Sequence, residues 1–194
     1  MDAGETEISM LLQKYSKLGT YNNGFYLAHL NKIKQNFDIR CDVLDVASGT
    51  VPVFANLLAK EQLELGCGSV TLYDPRLILR LGKYDNMFCN KKYFSLDVDV
   101  SKYKLITGIF PCEVTDDIIT SACINQKDFY VALCGCDHFA TDYDEYMFSD
   151  APIYEEYIID RAKSLVKEYD NGILVVDRLN NSVFNYPILY NKRK

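Results

Sequence analysis

Short apolar runs alternate along the chain with stretches whose apolar positions recur at helical spacing, and that alternation predicts an α/β fold around a parallel sheet. Ile8, Leu11, Leu12 and Tyr15 share one face of a helix over residues 5–17. After the turn-forming run Leu18 to Gly24, Tyr26, Leu30, Ile33 and Phe37 mark a second helix reaching about Asn36. Strand-like runs follow at Val43 to Val46, Val70 to Tyr73, Lys92 to Leu96, Lys104 to Phe110 and Phe129 to Cys134. Between them, helical patterns are expected over 52–62, over Arg76 to Leu81 with Gly82 as its stop, and from Thr115 to about Asn125. A long helix from Ile153 to Tyr169 ends at Asn171-Gly172. Two last strands, Ile173 to Val176 and Val183 to Tyr190, then close around Asn180-Asn181-Ser182. The expectation is a three-layer sandwich: a seven-stranded, mostly parallel sheet with an antiparallel last strand, helices on both faces and two N-terminal helices. All 194 residues form one domain in this reading, with 1–37 a helical cover and 38–194 the core.

The stretch Val43-Leu44-Asp45-Val46-Ala47-Ser48-Gly49-Thr50-Val51-Pro52 carries the first chemical signal. A buried strand breaks there on small residues and opens a helix, which brings main-chain N–H groups and the positive end of a helix dipole to a strand's carboxyl end. Ligands of open α/β sheets sit in such crevices, and small residues let them approach the backbone. Pro52 suits the helix start, where its missing N–H has no partner to lose. The second run ends on Asp74-Pro75, an acid 25 residues after Gly49 and placed to accept the hydroxyls of a ribose. The third ends on Asp97-Val98.

In order and spacing these motifs resemble the class I S-adenosylmethionine-dependent methyltransferases. In that family strand 1 ends in an acid–small–x–Gly–x–Gly loop, strand 2 on a ribose-binding acid and strand 3 on an Asp beside the adenine. The resemblance runs from about Asp42 onward. Ala47 stands at the first glycine position and Val51 at the third. It implies that Asp45, Ala47, Ser48, Gly49 and Thr50 hold the amino-acid end of the cofactor S-adenosylmethionine. Asp74 with Pro75 would hold the ribose, and Asp97 with Val98 the adenine. The function implied is methyl transfer to a small molecule or to a site on RNA or protein. The alternative is a catalytically silent, methyltransferase-like scaffold subunit, which Val51 motivates. A nicotinamide enzyme is disfavoured because no GxGxxG follows the first strand.

Composition narrows the setting. With 48% hydrophobic and 25% charged residues the chain is an ordered globular protein. A net charge of −6 argues against extensive nucleic-acid binding. Met1-Asp2-Ala3-Gly4-Glu5 does not read as a signal peptide, and no apolar run approaches bilayer length, so no membrane contact is expected. Seven cysteines, an odd number, read as reduced thiols of a cytoplasmic protein.

A second cluster is expected where strands 4 and 5 end side by side: Cys112, Glu113, Cys134, Cys136, Asp137 and His138. Four readings stand together here. Gly108, Ile109 and Phe110 line the cofactor and acceptor mouth, with Glu113 as a polar contact or base. Cys112 or Cys134 is a nucleophile, Pro111-Cys112 being similar to the Pro-Cys of cytosine-C5 methyltransferases. Cys112, Cys134, Cys136 and His138 bind zinc, although their spacing is unusual for that metal and no metal site is assigned. Or the cysteines simply pack at strand ends. The run Pro111 to Asp116 also looks like a branch of methyltransferases with an acidic motif after strand 4, a likeness that names no substrate. The irregular stretch Gly135 to Pro152 is acidic and aromatic, and Tyr143, Tyr146, Phe148 and Tyr154 are placed to close over a planar acceptor. No obvious substrate-recognition domain is present, so a protein partner is a further expectation. His29 reads as a packing or surface histidine.

Overall fold

The computed structural model describes residues 23–78, 82–134, 151–179 and 186–193. The expected helix over 5–17, residues 79–81, the stretch 135–150 with Cys136, Asp137, His138, Tyr143, Tyr146 and Phe148, and the turn at 180–182 lie outside those residues.

Leu30 and Ile33, three positions apart and both fully buried, set the inner face of helix α1 (Asn23–Asn36). Strand β1 (Asp42–Val46) follows, then α2 (Val53–Glu64) and β2 (Ser69–Tyr73). Next come β3 (Met87–Asn90), β4 (Leu105–Ile109), α3 (Thr115–Ile124) and β5 (Asp128–Ala132). The chain ends with α4 (Ala151–Glu168), β6 (Ile173–Asp177) and β7 (Ile188–Lys192). The strands form one sheet in the order β3-β2-β1-β4-β5-β7-β6, parallel except for β7, which runs against both its neighbours.

Alternation along the strands divides the core into two layers. Val43, Val70, Leu72, Leu105 and Tyr130 face α1 and α2, against Leu30, Ile33, Phe54, Ala55 and Leu58. Leu44, Val46, Ile106, Phe129 and Val131 face α3 and α4, against Ile118, Ile119, Ile158, Ala162 and Leu165. Each such side chain removed from water contributes about 1.5–3 kcal/mol. His29 belongs to the first layer and is buried. Its Nδ1 lies 2.7 Å from the Tyr130 hydroxyl, and the Phe25 ring stands edge-on to it at 4.6 Å.

Two sequence expectations need correction. The third strand is Met87–Asn90, not Lys92 to Leu96. β3 is an edge strand with Phe88 53% exposed, so it lacks the buried apolar run of a central strand. The apolar run at 92–96 instead leads into turns whose Phe94 is buried edge-to-face against Tyr73. Residues 75–76 form a turn and 77–78 are irregular, where a helix from Arg76 was expected. The Asp74 carboxylate accepts the Arg76 N–H and ends β2 in a turn stabilised by an acidic side chain.

β6 forms the opposite rim, with Ile173 and Val176 exposed. β7 is keyed into place by two fully buried asparagines. Asn191 accepts the Phe129 N–H (2.7 Å) and donates to the carbonyl of Asn171 (3.0 Å). Asn171 donates to the carbonyl of Lys127 (2.9 Å). Replacing Asn191 by Ala orphans the Phe129 N–H inside the sheet. The expected loss is about 2–3 kcal/mol in urea unfolding, and a loss below about 1 kcal/mol would show the network to be dispensable.

Candidate functional site

Asp45 is a carboxylate in the interior of β1, and a buried charge survives there only with donors around it. It has two. Ser48 Oγ donates to one oxygen at 2.7 Å and Thr107 Oγ1, from β4, to the other at 2.8 Å. Burial still outweighs those hydrogen bonds, and the nearby Asp74 charge adds to it. The Asp45 carboxyl is therefore pushed up to about 6. Through Ser48 it is tied to the loop that follows β1. Ala47 (φ 58°) and Gly49 (φ 76°) both occupy the left-handed region there. Ala47 thus takes the conformation that the first glycine of the motif would take freely, at a strain of about 1–2 kcal/mol. A Cβ added at Gly49 would meet nothing within 4 Å, so the loop is open on that side.

The second carboxylate closes the loop from the neighbouring strand. Asp74 follows β2, is 1% exposed, and accepts the Gly49 N–H at 2.9 Å and the Arg76 N–H at 2.7 Å. The Arg76 guanidinium reaches the same carboxylate at 3.4 Å and is 70% exposed, a loose contact on the solvent side. Thr50 accepts the Ile78 N–H at 3.1 Å, a further tie between the two strand ends. Helix α2 opens behind the loop at Pro52, its N-cap, with no side chain capping it.

The other expected residues fall in two places. Asp97 is exposed, seven residues beyond the end of β3, so it is not at a strand tip, although Val98 packs half-buried against the α3–α4 layer. Asn90 ends β3 beside Asp74, its carbonyl accepting the Asp74 N–H at 3.3 Å. The space beside Gly108 is filled by Ile118 and Pro111, which an added Cβ would meet at 2.8 and 3.1 Å. At the β4 tip Phe110 (φ 59°) and Cys112 (φ 50°) are both left-handed. Phe110 lies 5.3 Å from the Phe25 ring and 5.9 Å from Tyr186. Cys112 Sγ and Cys134 Sγ are 3.3 Å apart. Glu113 is exposed on the short turn that follows. Among the described residues no three His, Cys, Asp or Glu side chains converge to hold a metal, and no helix is long and apolar enough to cross a membrane.

Thr107, Arg76 and Asn90 escaped the sequence reading. Thr107 had a signal, because a hydroxyl inside the apolar run Leu105 to Ile109 needs a buried partner. Nothing comparable marked Asn90, since β3 itself was misplaced.

Comparison with known proteins bears on the fold. No protein-family model matches the chain, and no curated protein matches it in sequence. Solved structures do share its fold. A precorrin-6y C5,15-methyltransferase from Geobacter metallireducens matches with TM-score 0.54 at 12% identity, covering 90% of either chain. A Podospora anserina methyltransferase bound to S-adenosylhomocysteine matches with TM-score 0.54 at 6% identity, covering 100% of this chain and 89% of its own. A candidate hemolysin from Lactococcus lactis matches with TM-score 0.54 at 12% identity, covering 85% of this chain and 84% of its own. The chain has the fold of the class I methyltransferases.

Two outcomes follow from the buried groups. Replacing Ala47 by Gly removes the left-handed strain, so the variant should be as stable as wild type or up to about 1 kcal/mol more stable in urea; a loss of stability would contradict the strain. The second concerns pH. Asp45, raised in the fold, adds stability that is present below about pH 4 and lost as pH rises through about 6. Burial depresses His29 to about 3, so its contribution is present above about 6.5 and lost as pH falls toward 3. Between pH 7 and 5 His29 removes about 2 kcal/mol and Asp45 restores about 1. Wild type should therefore lose about 1 kcal/mol over that interval and Asp45→Asn about 2. Equal losses in the two proteins would show that the carboxyl is not raised.

Proposed function

We propose that the chain binds S-adenosylmethionine and transfers its methyl group to an acceptor that is a small molecule or a site on RNA or protein. The observation that carries this reading is the junction of β1 and β2. There a left-handed small-residue loop, open beside Gly49, opens a helix without a side-chain cap and meets a carboxylate at the next strand's end. The methyltransferase fold supports it, with Gly49 and Asp74 in the order the family uses. The residues fit the cofactor. Gly49 leaves room for close approach, and Asp74 becomes available to ribose hydroxyls once the loosely held Arg76 guanidinium swings into solvent.

In this reading the main chain of Ala47 to Thr50, backed by α2, holds the amino-acid end of the cofactor. Asp45 acts through Ser48 and Thr107 to keep that loop in shape. Asp74, with Pro75 beside it, accepts the ribose hydroxyls, and Asp97 with Val98 borders the adenine. When bound, the cofactor supplies a methyl group on a sulfonium, open to in-line displacement. The protein's task is then chiefly positioning. Gly108, Ile109 and Phe110 form the mouth, and the rings of Phe25, Phe110 and Tyr186 give it an apolar wall suited to a planar acceptor. Glu113 takes a proton from acceptors that must lose one. Cys112 and Cys134 lie beside that position.

Calorimetry with S-adenosylhomocysteine tests the reading. Wild type should bind it, and Asp74→Ala should weaken binding about tenfold to a hundredfold, the value of charge-assisted hydrogen bonds. An unchanged affinity would put the cofactor elsewhere, and no heat from wild type at millimolar ligand would leave a scaffold subunit in place of an enzyme.

A further inference from the structure

Two thiols meet where β4 and β5 end. Ile109 and Ala132 are the last paired residues of these strands, and the Phe110 N–H still donates to the Ala132 carbonyl at 2.9 Å. The sheet thus sets the spacing of the two tips. Beyond it Cys112 is held by its own carbonyl, which accepts the hydroxyls of Thr115 (2.7 Å) and Tyr154 (3.4 Å). From that position its Sγ lies 3.3 Å from Cys134 Sγ, both residues half-buried. A disulfide bond is about 2.05 Å long, so the sulfurs need to approach by only about 1.2 Å.

The surroundings separate this pair from the other described cysteines. Cys41 and Cys67 donate to the main-chain carbonyls of Asp38 and Leu65, at 3.2 and 3.5 Å. Cys112 donates likewise to that of Phe110 at 3.4 Å, but of the three it alone, among the described residues, also has a second sulfur, that of Cys134, at its side. Burial pushes the thiols of Cys41 and Cys123 up to about 11, which leaves them poor nucleophiles. Cys112 lies within the electrostatic reach of the Arg76 guanidinium.

We propose that Cys112 and Cys134 form a peroxide-sensitive dithiol that closes reversibly to a disulfide and pins the tip of β4 to that of β5. The Cys112 thiolate attacks one oxygen of hydrogen peroxide. An S–O bond forms, the O–O bond breaks, and hydroxide leaves and is protonated to water. Cys134 sulfur then displaces the hydroxyl of the sulfenic acid. The S–S bond forms, the S–O bond breaks, and the thiol proton leaves with the hydroxyl as a second water. Two thiols lose two electrons, and one peroxide becomes two waters. A dithiol reductant reverses the change.

The consequence for activity rests on the methyl-transfer reading, under which the turn at 110–113 is the mouth where the acceptor arrives. A cross-link fixes Phe110 and Cys112 in their left-handed conformations and removes the freedom to open for a ligand.

The test uses the full reduced chain. It is treated with hydrogen peroxide, its remaining thiols are alkylated, and its peptides are mapped by mass spectrometry. Two fewer thiols than in the untreated protein, a Cys112–Cys134 link and recovery of both thiols with dithiothreitol are expected. Cys112→Ser should lose no thiol pair, and Cys134→Ser should stop at a sulfenic acid that dimedone traps. Full retention of thiols in wild type, a disulfide joining any other pair such as one with Cys136, or the same thiol loss in Cys112→Ser would overturn the proposal. Calorimetry with S-adenosylhomocysteine on oxidised and reduced protein is read separately. Oxidation should weaken binding at least about fivefold, and equal affinities would overturn the pinning of the mouth. If the reduced protein fails to bind while the disulfide still maps to Cys112 and Cys134, the dithiol stands and the methyl-transfer reading falls.

Discussion

Two carboxylates buried side by side, Asp45 and Asp74, are the constraint around which the carboxyl end of the sheet is arranged. Among the described residues neither has a buried lysine or arginine to neutralise it, and the Asp74 charge raises the cost of charging Asp45. Donors from the surrounding chain must meet that cost. Ser48 and Thr107 serve Asp45, and the N–H groups of Gly49 and Arg76 serve Asp74. To supply them the loop after β1 has to fold back on itself, which drives Ala47 and Gly49 into the left-handed region. β4 has to carry a hydroxyl in an otherwise apolar strand. The loop's conformation is thus an answer to electrostatics as much as a preparation for a ligand.

That chain of cause explains what could be read from the sequence. The central strands were legible because parallel strands buried on both faces are mostly apolar, and β1, β4 and β5 are so apart from Asp45 and Thr107 in the interiors of β1 and β4. Helices α1, α2, α3 and α4 declared themselves by spacing and matched to within about two residues. β3 did not, because an edge strand carries little of the burial that writes a pattern. Its Phe88 is exposed, whereas Phe94 in the following turns is buried. The apolar density of a segment reported its contact with the core, not its secondary structure. The turn after Asp74 was missed for a related reason, since a single side chain capturing the Arg76 N–H overrode the propensity of the residues that follow.

At the site, Asp45, Gly49 and Asp74 were visible as residue types at the ends of predicted strands, and the structure brings them within one hydrogen-bonded group. What the sequence could not carry was the direction of the contacts. Asp45 looks inward, to hydroxyls on its own loop and on β4, and Asp74 looks toward Gly49 as well as outward to Arg76. The cysteines at 112 and 134 were expected in one cluster from the neighbouring ends of strands 4 and 5. The 3.3 Å between their sulfurs, which rests on the pairing of β4 with β5, was beyond the sequence.

The two rims of the sheet differ in a way that bears on how the molecule fails. At β3 the Lys102 ammonium stands 5.9 Å from the exposed Phe88 ring, and Lys91 and Lys92 follow at once in the chain. A docking strand from another copy would have to desolvate those charges. At β6 the exposed Ile173 and Val176 are apolar and β-branched. Crowded or partly denatured molecules should therefore begin to aggregate along β6, leaving the lysine-guarded rim for last.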